Sequence, residues 1–180
     1  MKPKVPTTRV TKIAAARSQL ETAITLWFHA GDPVSTHTLA WASREILRVL
    51  NKHTGSSPML LNDDTIAPEY RKRFINALAK PANFFKHGSR NGDEPLDFPH
   101  ELTAGIILDA ATKYRELTHE SVLLFTLFVV RMSQEFPHLF MQSALDQFRE
   151  LLPVEHFGTL TREQFFQTFA HAIQPYPSNA

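Results

Sequence analysis

The longest apolar run of the chain, at residues 122–130, constrains the fold more than any other feature of the sequence. It reads Val-Leu-Leu-Phe-Thr-Leu-Phe-Val-Val, and Arg131 closes it. A helix that is apolar on every side has to be buried. The run is roughly half as long as the segment that a bilayer-spanning helix needs, so no membrane partner is expected. We predict a buried central helix over residues 119–136, capped by Thr118.

Apolar residues elsewhere recur at spacings of three and four, which is the period of one helix face. The first such segment runs from about residue 9 to Ala30, and Gly31-Asp32-Pro33 ends it. Ser35 is predicted to cap a second helix, in which the expected buried positions are Leu39, Ala42, Ile46 and Val49 or Leu50. A third helix is expected from Pro68 to His87, with a kink or a restart at Pro81. Thr161 and Gln164 have capping-box spacing at the start of the last helix.

These patterns predict an all-α protein. We expect a single-domain bundle of about seven helices with antiparallel neighbours over residues 9–173. Residues 1–8 form a flexible basic tail in this interpretation, and residues 174–180 form a second flexible tail. The N-terminus has no apolar segment typical of a secretion signal, so a cytoplasmic protein is expected.

Composition excludes several classes of chemistry. The chain of 180 residues has no cysteine, which excludes disulfide-linked partners, Cys-ligated zinc, iron–sulfur clusters and thiol nucleophiles. Only 6 glycines are present, and no glycine-rich loop for a nucleotide phosphate is found. We therefore expect no cofactor, and any chemistry has to use His, carboxylate, hydroxyl or amine groups.

Charge is strongly segregated along the chain, although the net charge is only +1. Residues 1–90 carry 14 Lys and Arg against 6 Asp and Glu, and residues 91–180 carry 5 against 12. A basic half of this kind favours a phosphate-bearing ligand such as a nucleotide, RNA, or an acidic partner. The acidic half either balances the basic half within one chain or contacts that of a second copy, which would give a homodimer.

The third helix carries the clearest candidate site. On a helix, the polar residues spaced four, four, three and four apart share one face opposite Tyr70, Phe74 and Leu78, and these residues are Lys72, Asn76, Lys80, Asn83 and His87. An imidazole beside Lys86 and an amide can bind a phosphate or act as a general acid or base. The alternative is a solvated face that ends in a histidine near the helix C-terminus.

The second helix carries another basic face, formed by His37, Trp41, Arg44 and Arg48. Arg side chains can hold a nucleic-acid backbone while Trp41 stacks on a base. In the alternative interpretation, Trp41 belongs to an interhelical or dimer contact and the two Arg side chains are merely solvated.

The link between the first two helices brings His29, Asp32, Ser35 and His37 within nine positions. Two imidazoles and a carboxylate can ligate a divalent ion. This spacing does not place them on one helical face, however, and Asp32 before Pro33 is typical of a turn. No metal site is therefore predicted.

Two short motifs resemble a known family. The sequence Asn-Phe-Phe-Lys-His-Gly at residues 83–88, preceded by Ala-Arg-x-x-Leu-x-x-Ala at residues 16–23, resembles HEPN domains, the compact helical bundles of prokaryotic toxin and defence systems. The chain is also similar to uncharacterised bacterial helical proteins with Leu-Trp-Phe-His, Asp-Pro-x-Ser-x-His-Thr-Leu-Ala and Asn-Phe-Phe-Lys-His stretches, which are here residues 26–29, 32–40 and 83–87. The HEPN resemblance extends loosely over residues 10–130 and implies a helical bundle.

Nuclease members of that family use an Arg, four to six further residues and then a His, at a homodimer interface, and cut RNA without metal. By this resemblance His87 corresponds to the His. The positions allowed for the Arg hold Lys80, Pro81 and Ala82, and a lysine lacks the planar fork that an arginine offers to a phosphate.

Two functions follow as hypotheses. The first is a helical binding or regulatory module whose basic N-terminal half contacts a phosphate-bearing ligand, RNA or an acidic partner. The alternative is a metal-independent endoribonuclease, in which His87 is the acid or base, Lys80 or Lys86 stabilises the phosphorane charge and Asn83 orients the substrate. Whether the protein is an enzyme stays open at this point.

Overall fold

The chain folds into a bundle of α-helices, as the sequence predicts. The computed structural model describes residues 6–55, 57, 59, 68–87, 94–140, 142–151 and 157–173. In these ranges the helices are α1 (Lys12–Phe28), α2 (Pro33–Thr54), α3 (Pro68–Lys86), α4 (Thr103–Thr118), α5 (Leu123–Glu135), α6 (Gln142–Leu151) and α7 (Arg162–Phe169). Short 3₁₀ turns follow at His100–Leu102, Pro137–Leu139 and Ala170–Ala172. None of the described residues forms a strand.

Helix starts follow the capping chemistry of the sequence, except that the cap of α2 lies at another residue. Asp32 caps α2, because its Oδ2 accepts from the Ser35 amide at 2.7 Å, so the prediction that Ser35 is the cap is wrong. Pro33 occupies the first turn, which fixes the start of α2 one residue after the aspartate. The capping box of Thr161 and Gln164 on α7 is confirmed.

The predicted central helix is shorter than expected. Residues up to Thr118 belong to α4, and His119 ends that helix with a left-handed backbone (φ 56°). Helix α5 begins only after Val122, which offers no side-chain cap. Thr118 therefore does not cap α5. The prediction that this segment is buried is confirmed for most of α5, where Phe128 and Val130 are fully inaccessible to solvent.

Helices α1, α2 and α4 pack together, and apolar side chains from α5 and α7 complete one core. Large apolar side chains that are almost completely inaccessible to solvent in this core include Leu20, Phe28, Leu47, Ile107, Phe128 and Phe165. Phe28 stacks on Phe165 with ring centroids 6.1 Å apart, so α7 closes the core against the end of α1. One connected core of this kind confirms the single-domain bundle.

The buried face of α2 differs from the predicted one. Val49 is 45 % exposed, whereas Ala40, Ser43 and Leu47 are fully buried. Two of these residues are small, which lets α2 approach α1 closely, and the Ser43 hydroxyl donates to the Ala16 carbonyl at 2.8 Å. The helix is therefore turned so that a partly polar face is covered, and apolar patterning alone points to the neighbouring face.

Helix α3 continues through Pro81, which is itself buried. Its side chains are described from Ile75 onwards, so the predictions for Tyr70, Lys72 and Phe74 lie outside the described side chains. Residues 1–5, 88–93 and 174–180 are likewise outside the described part, which leaves most of the two predicted tails without a structural account.

Candidate functional site

The exposed face of α3 gathers five polar residues that the sequence singled out. Leu78, Pro81 and Ala82 are buried on the side that faces the bundle, and the exposed residues on the other side are Asn76, Lys80, Asn83, Lys86 and His87. We call these five residues the outer stripe. The helix carries it to its end, because the His87 amide still donates to the Asn83 carbonyl at 3.1 Å.

An exposed aromatic ring lies beside the outer stripe. Phe84 is 38 % exposed and follows Lys80 by four residues, which is one helical turn. Its neighbour Phe85 is half-buried, with its ring centroid 5.3 Å from Phe98 and 6.0 Å from His37. The sequence reasoning did not select Phe84, although its offset from Lys80 was the signal that places both on one side of the helix.

The amines of the outer stripe have no acidic partner among the described residues, since neither Lys80 nor Lys86 forms an ion pair there. Several cationic groups in other parts of the bundle are bound to carboxylates, as with Arg44 on Asp109, Lys113 on Glu116 and Arg162 on Glu135. The two lysine charges are thus available to an external anion.

The second predicted basic face lies inside the protein. His37 and Arg44 are each 1 % exposed, Trp41 is 7 % exposed, and Arg48 is half-buried. The prediction of an exposed basic face on α2 is therefore wrong. The side chains of His37, Trp41 and Arg44 offer almost no accessible surface to a nucleic acid.

Partners on other helices explain the burial of that face. The Arg44 Nε donates to Asp109 Oδ2 at 2.7 Å across the α2–α4 contact, and both side chains are almost completely buried. The guanidinium lies 5.2 Å from the centroid of the Trp41 ring and also binds Glu45 at 3.1 Å. Arg48 binds the same Glu45 at 2.8 Å. Every charge of the buried group is thus compensated, as the interior requires.

His37 is satisfied as a neutral imidazole. Its Nε2 lies 3.2 Å from the Leu78 carbonyl, which can only accept, so this nitrogen carries the proton. Its Nδ1 then accepts from the Thr103 hydroxyl at 3.0 Å. Burial lowers the pKa of His37, partly offset by the bond to the Leu78 carbonyl. The ring stacks on Trp41 at 6.5 Å and meets Phe98 edge-on at 5.0 Å.

The polar residues between α1 and α2 do not join the outer stripe. Asp32 is committed to the α2 cap, and hydrogen bonds from the Ser35 hydroxyl and then from the Ser35 amide lower its pKa. His29 lies 3.4 Å from Glu163 on α7. His37, on α2, contacts the side of α3 that faces the bundle. No group of three His, Asp or Glu side chains in the described ranges is arranged to hold a metal ion.

A cavity of about 490 Å³ opens between α1 and the start of α5, away from the outer stripe. The Arg17 guanidinium binds Glu21 and Glu120 on its wall, and Tyr114 donates to Glu120 at 2.7 Å. Burial, together with that bond, raises the pKa of Tyr114 to about 12, and the tyrosine hydroxyl lowers the pKa of Glu120. Sequence reasoning missed this network, because its members are far apart in the chain.

A smaller cavity of about 270 Å³ lies between the α1–α2 turn and the first residue of α7. Arg162 stands over the Trp27 ring at 4.0 Å and is held by Glu135 at 2.6 Å. No residue of the outer stripe lines either cavity.

The chain matches no protein-family model, no curated protein and no solved structure. Function has to be inferred from the geometry of this chain. Among the helices in the described ranges, none combines the length and the apolarity of a bilayer span.

Proposed function

We propose that the protein is a binding module that holds single-stranded RNA on the outer stripe of α3. The observation that carries the proposal is the placement of Lys80 one turn from Phe84, both exposed on the outer side of α3, with Lys80 free of an ion pair among the described residues. Amines bind the phosphodiester backbone, and an exposed aromatic ring stacks on a base.

The spacing of these groups supports a short contact with several nucleotides. Lys80 and His87 are separated by roughly 10 Å along the helix axis, at about 1.5 Å per residue. Lys86 and Asn83 lie between them and add a second charge and an amide that can bond phosphate or base edges. A single-stranded RNA that runs along α3 can therefore contact amines, an aromatic ring and an amide within this short distance.

Unpaired bases fit this surface better than a duplex. A phenylalanine that protrudes from a convex helix can stack only on a base whose face is accessible, and in a duplex the faces are covered by neighbouring bases. Stacking on an aromatic side chain is worth about 1–3 kcal/mol per base. The ring at position 84 thus favours single strands, while the amines alone would bind any polyanion.

The salt dependence of RNA binding tests the proposal. Titration of a labelled single-stranded oligouridine, followed by fluorescence anisotropy at several salt concentrations, gives the slope of log affinity against log salt. For Lys80→Gln we expect weaker binding and a slope smaller by about 0.7, since one phosphate contact is lost.

Arg149→Gln is the matched control, because it removes one exposed charge from α6. It should leave the slope nearly unchanged. Equal losses in both variants would mean that RNA responds only to net charge, and undetectable binding by the unmodified protein at low salt would refute the proposal.

The alternative function is the metal-independent endoribonuclease that the HEPN resemblance implies. Its support is that Lys80, Asn83 and His87 share one exposed face, with His87 one turn after Asn83. In this mechanism His87 is the acid or base, Lys80 or Lys86 stabilises the phosphorane charge and Asn83 orients the substrate.

Incubation of the purified protein with total RNA in EDTA distinguishes the two functions. An enzyme would produce fragments that disappear in His87→Ala and persist in His53→Ala, whose histidine is exposed at the end of α2. If the protein binds RNA and produces no fragments, RNA binding without cleavage is the function of the outer stripe.

A further inference from the structure

The helix that carries the outer stripe is fastened to the bundle through a buried imidazole. His37 reaches from α2 to the Leu78 carbonyl of α3 at 3.2 Å and to Thr103 at the start of α4 at 3.0 Å. It is therefore the polar link among three helices, whereas the other described contacts of α3 with the bundle are apolar, through Leu78, Ala82 and Phe85.

The bond to Leu78 lies where α3 is weakened. Pro81 has no amide hydrogen to give to the Ala77 carbonyl, and its ring crowds that turn of the helix. The next carbonyl, that of Leu78, accepts from the Nε2 of His37. A bond from α2 thus supports the turn of α3 that is least able to support itself.

The surroundings of His37 favour the neutral ring. Three aromatic rings pack around it, and no carboxylate bonds to it among the described residues. On its own helix Arg44 is occupied by Asp109 of α4. Glu45 and Arg48 on α2 are half-buried and bind each other. Lys113 and Tyr114 on α4 are buried and bind Glu116 and Glu120. Exposed charged or titratable groups on the elements packed against it include Asp32, Lys80, Lys86, His87, Asp97, His100 and Glu101.

Protonation would disrupt the pair of hydrogen bonds that the neutral His37 ring makes with Thr103 and Leu78. The added proton sits on Nδ1, so the Thr103 hydroxyl could no longer donate to that atom and would have to rotate to accept. The new positive charge would have no counter-ion in the aromatic pocket, and an unpaired buried charge is strongly unfavourable. Separation of α3 from α2 would let the ring reach water.

We propose that His37 makes the packing of α3 on the bundle sensitive to pH, so that its protonation releases the helix that carries the outer stripe. The lowered pKa of the buried imidazole agrees with this direction. A released ring has an ordinary pKa near 6.5 and binds protons more strongly than the packed ring, so release becomes more favourable as pH falls below about 6.5.

The consequence for RNA rests on the proposed function. With α3 packed, the amines, the Phe84 ring and His87 are held on one face; with α3 released, that arrangement is no longer fixed and binding has to restore it. RNA affinity should then fall in acid relative to a variant in which position 37 cannot titrate.

Emission of Trp41 tests the packing directly and needs no RNA. The indole stacks on His37 with an angle of 9° between the rings, so its emission reports the charge and position of the imidazole. The chain has 2 tryptophans, and Trp27→Phe leaves Trp41 alone. We expect the emission to change with a single-proton midpoint below about pH 6.5, and to lose that transition in the Trp27→Phe/His37→Gln double variant.

Glutamine is the matched replacement because its amide can still donate to the Leu78 carbonyl but does not titrate. Emission that is constant between neutral pH and about pH 5 would overturn the proposal, as would the same transition in the glutamine variant. If either variant fails to fold, NMR titration of the His37 ring in the unmodified protein decides, and a pKa at or above about 6.5 overturns it.

A second arm compares RNA affinity of the unmodified protein and His37→Gln at neutral pH and in acid. His87 is unchanged in both proteins, so its effect on RNA affinity cancels in the ratio. We expect the ratio to fall by up to about tenfold per pH unit below the His37 pKa. RNA binding by neither protein would refute the proposed function alone, since the emission of Trp41 still decides the role of His37.

Discussion

Of two basic helix faces with similar residues, one is largely buried in this protein and the other is exposed. The face of α2 and the outer stripe of α3 both carry cations and a histidine at spacings of three and four. On α2 that face is covered, because Arg44 meets Asp109 and His37 meets Thr103 and the Leu78 carbonyl. On α3 the described amines meet no acid. Partners contributed by distant segments, rather than the residue types themselves, decide which basic face becomes a surface.

The largest effect should come from breaking the pair that buries the α2 face. In Asp109→Ala the Arg44 guanidinium is left in the core without its main counter-ion, which typically costs about 3–5 kcal/mol. Urea unfolding monitored by circular dichroism measures the loss of free energy of unfolding. In Asp146→Ala, which breaks the exposed pair with Arg149, the loss should be below about 1 kcal/mol.

A double variant sharpens the same point. Arg44→Met combined with Asp109→Leu removes both charges and keeps side-chain volume, so it should be more stable than Asp109→Ala. If the two proteins unfold at the same urea concentration, an unpaired guanidinium does not account for the cost of Asp109→Ala.

An intermediate effect should separate the two sides of α3. Phe85→Ala should lower the free energy of unfolding by about 2 kcal/mol, less than the roughly 3–5 kcal/mol of a fully buried phenylalanine, because its ring is half-buried. Phe84→Ala should change stability by less than about 0.5 kcal/mol and weaken RNA binding by about tenfold.

Urea unfolding and RNA anisotropy on the same two preparations check this difference. A loss of stability in Phe84→Ala as large as that in Phe85→Ala would show that the edge-on contact of the Phe84 ring with Phe85, at 6.0 Å between centroids, stabilises the fold, and would remove Phe84 from the binding surface.

The smallest effect should come from the remaining member of the α2 face. Arg48 is half-buried and binds Glu45 within its own helix, so Arg48→Gln should cost less than about 1 kcal/mol. Thermal unfolding beside Arg44→Gln makes the comparison, since both changes remove one guanidinium from positions one turn apart. If Arg48→Gln and Arg44→Gln lower the unfolding temperature by similar amounts, the four residues of the α2 face stabilise the protein as one unit.

Local patterns predicted the helices well and the faces less well. The all-α bundle, the burial of most of α5 and the capping box on α7 follow from periodicity and short-range hydrogen bonds. The buried face of α2 does not, because Arg44 is neutralised by a residue 65 positions later in the chain. Thr118 was misassigned for a different reason: the left-handed backbone at His119 ends α4 and leaves several residues before α5.

The candidate site shows the same division. Offsets of three and four placed Asn76, Lys80, Asn83 and His87 on one helix face, and the structure shows that face exposed. Which other residues would join them could not be read from the sequence. His37 is on the opposite side of α3 and Asp32 is at a helix start, since tertiary packing sets both positions.

The long-range ion pairs also bear on how the chain is made. Arg44 binds Asp109, which is synthesised 65 residues later, and Arg17 binds Glu120, which is synthesised 103 residues later. A ribosome adds about 5–20 residues per second, so α1 and α2 are synthesised seconds before these two distant carboxylates exist. During that interval the basic N-terminal half carries its excess positive charge without the acidic half. Its apolar side chains that later form the core are exposed to solvent. The nascent protein therefore depends on the completion of its second half more than a helical bundle with only local contacts would.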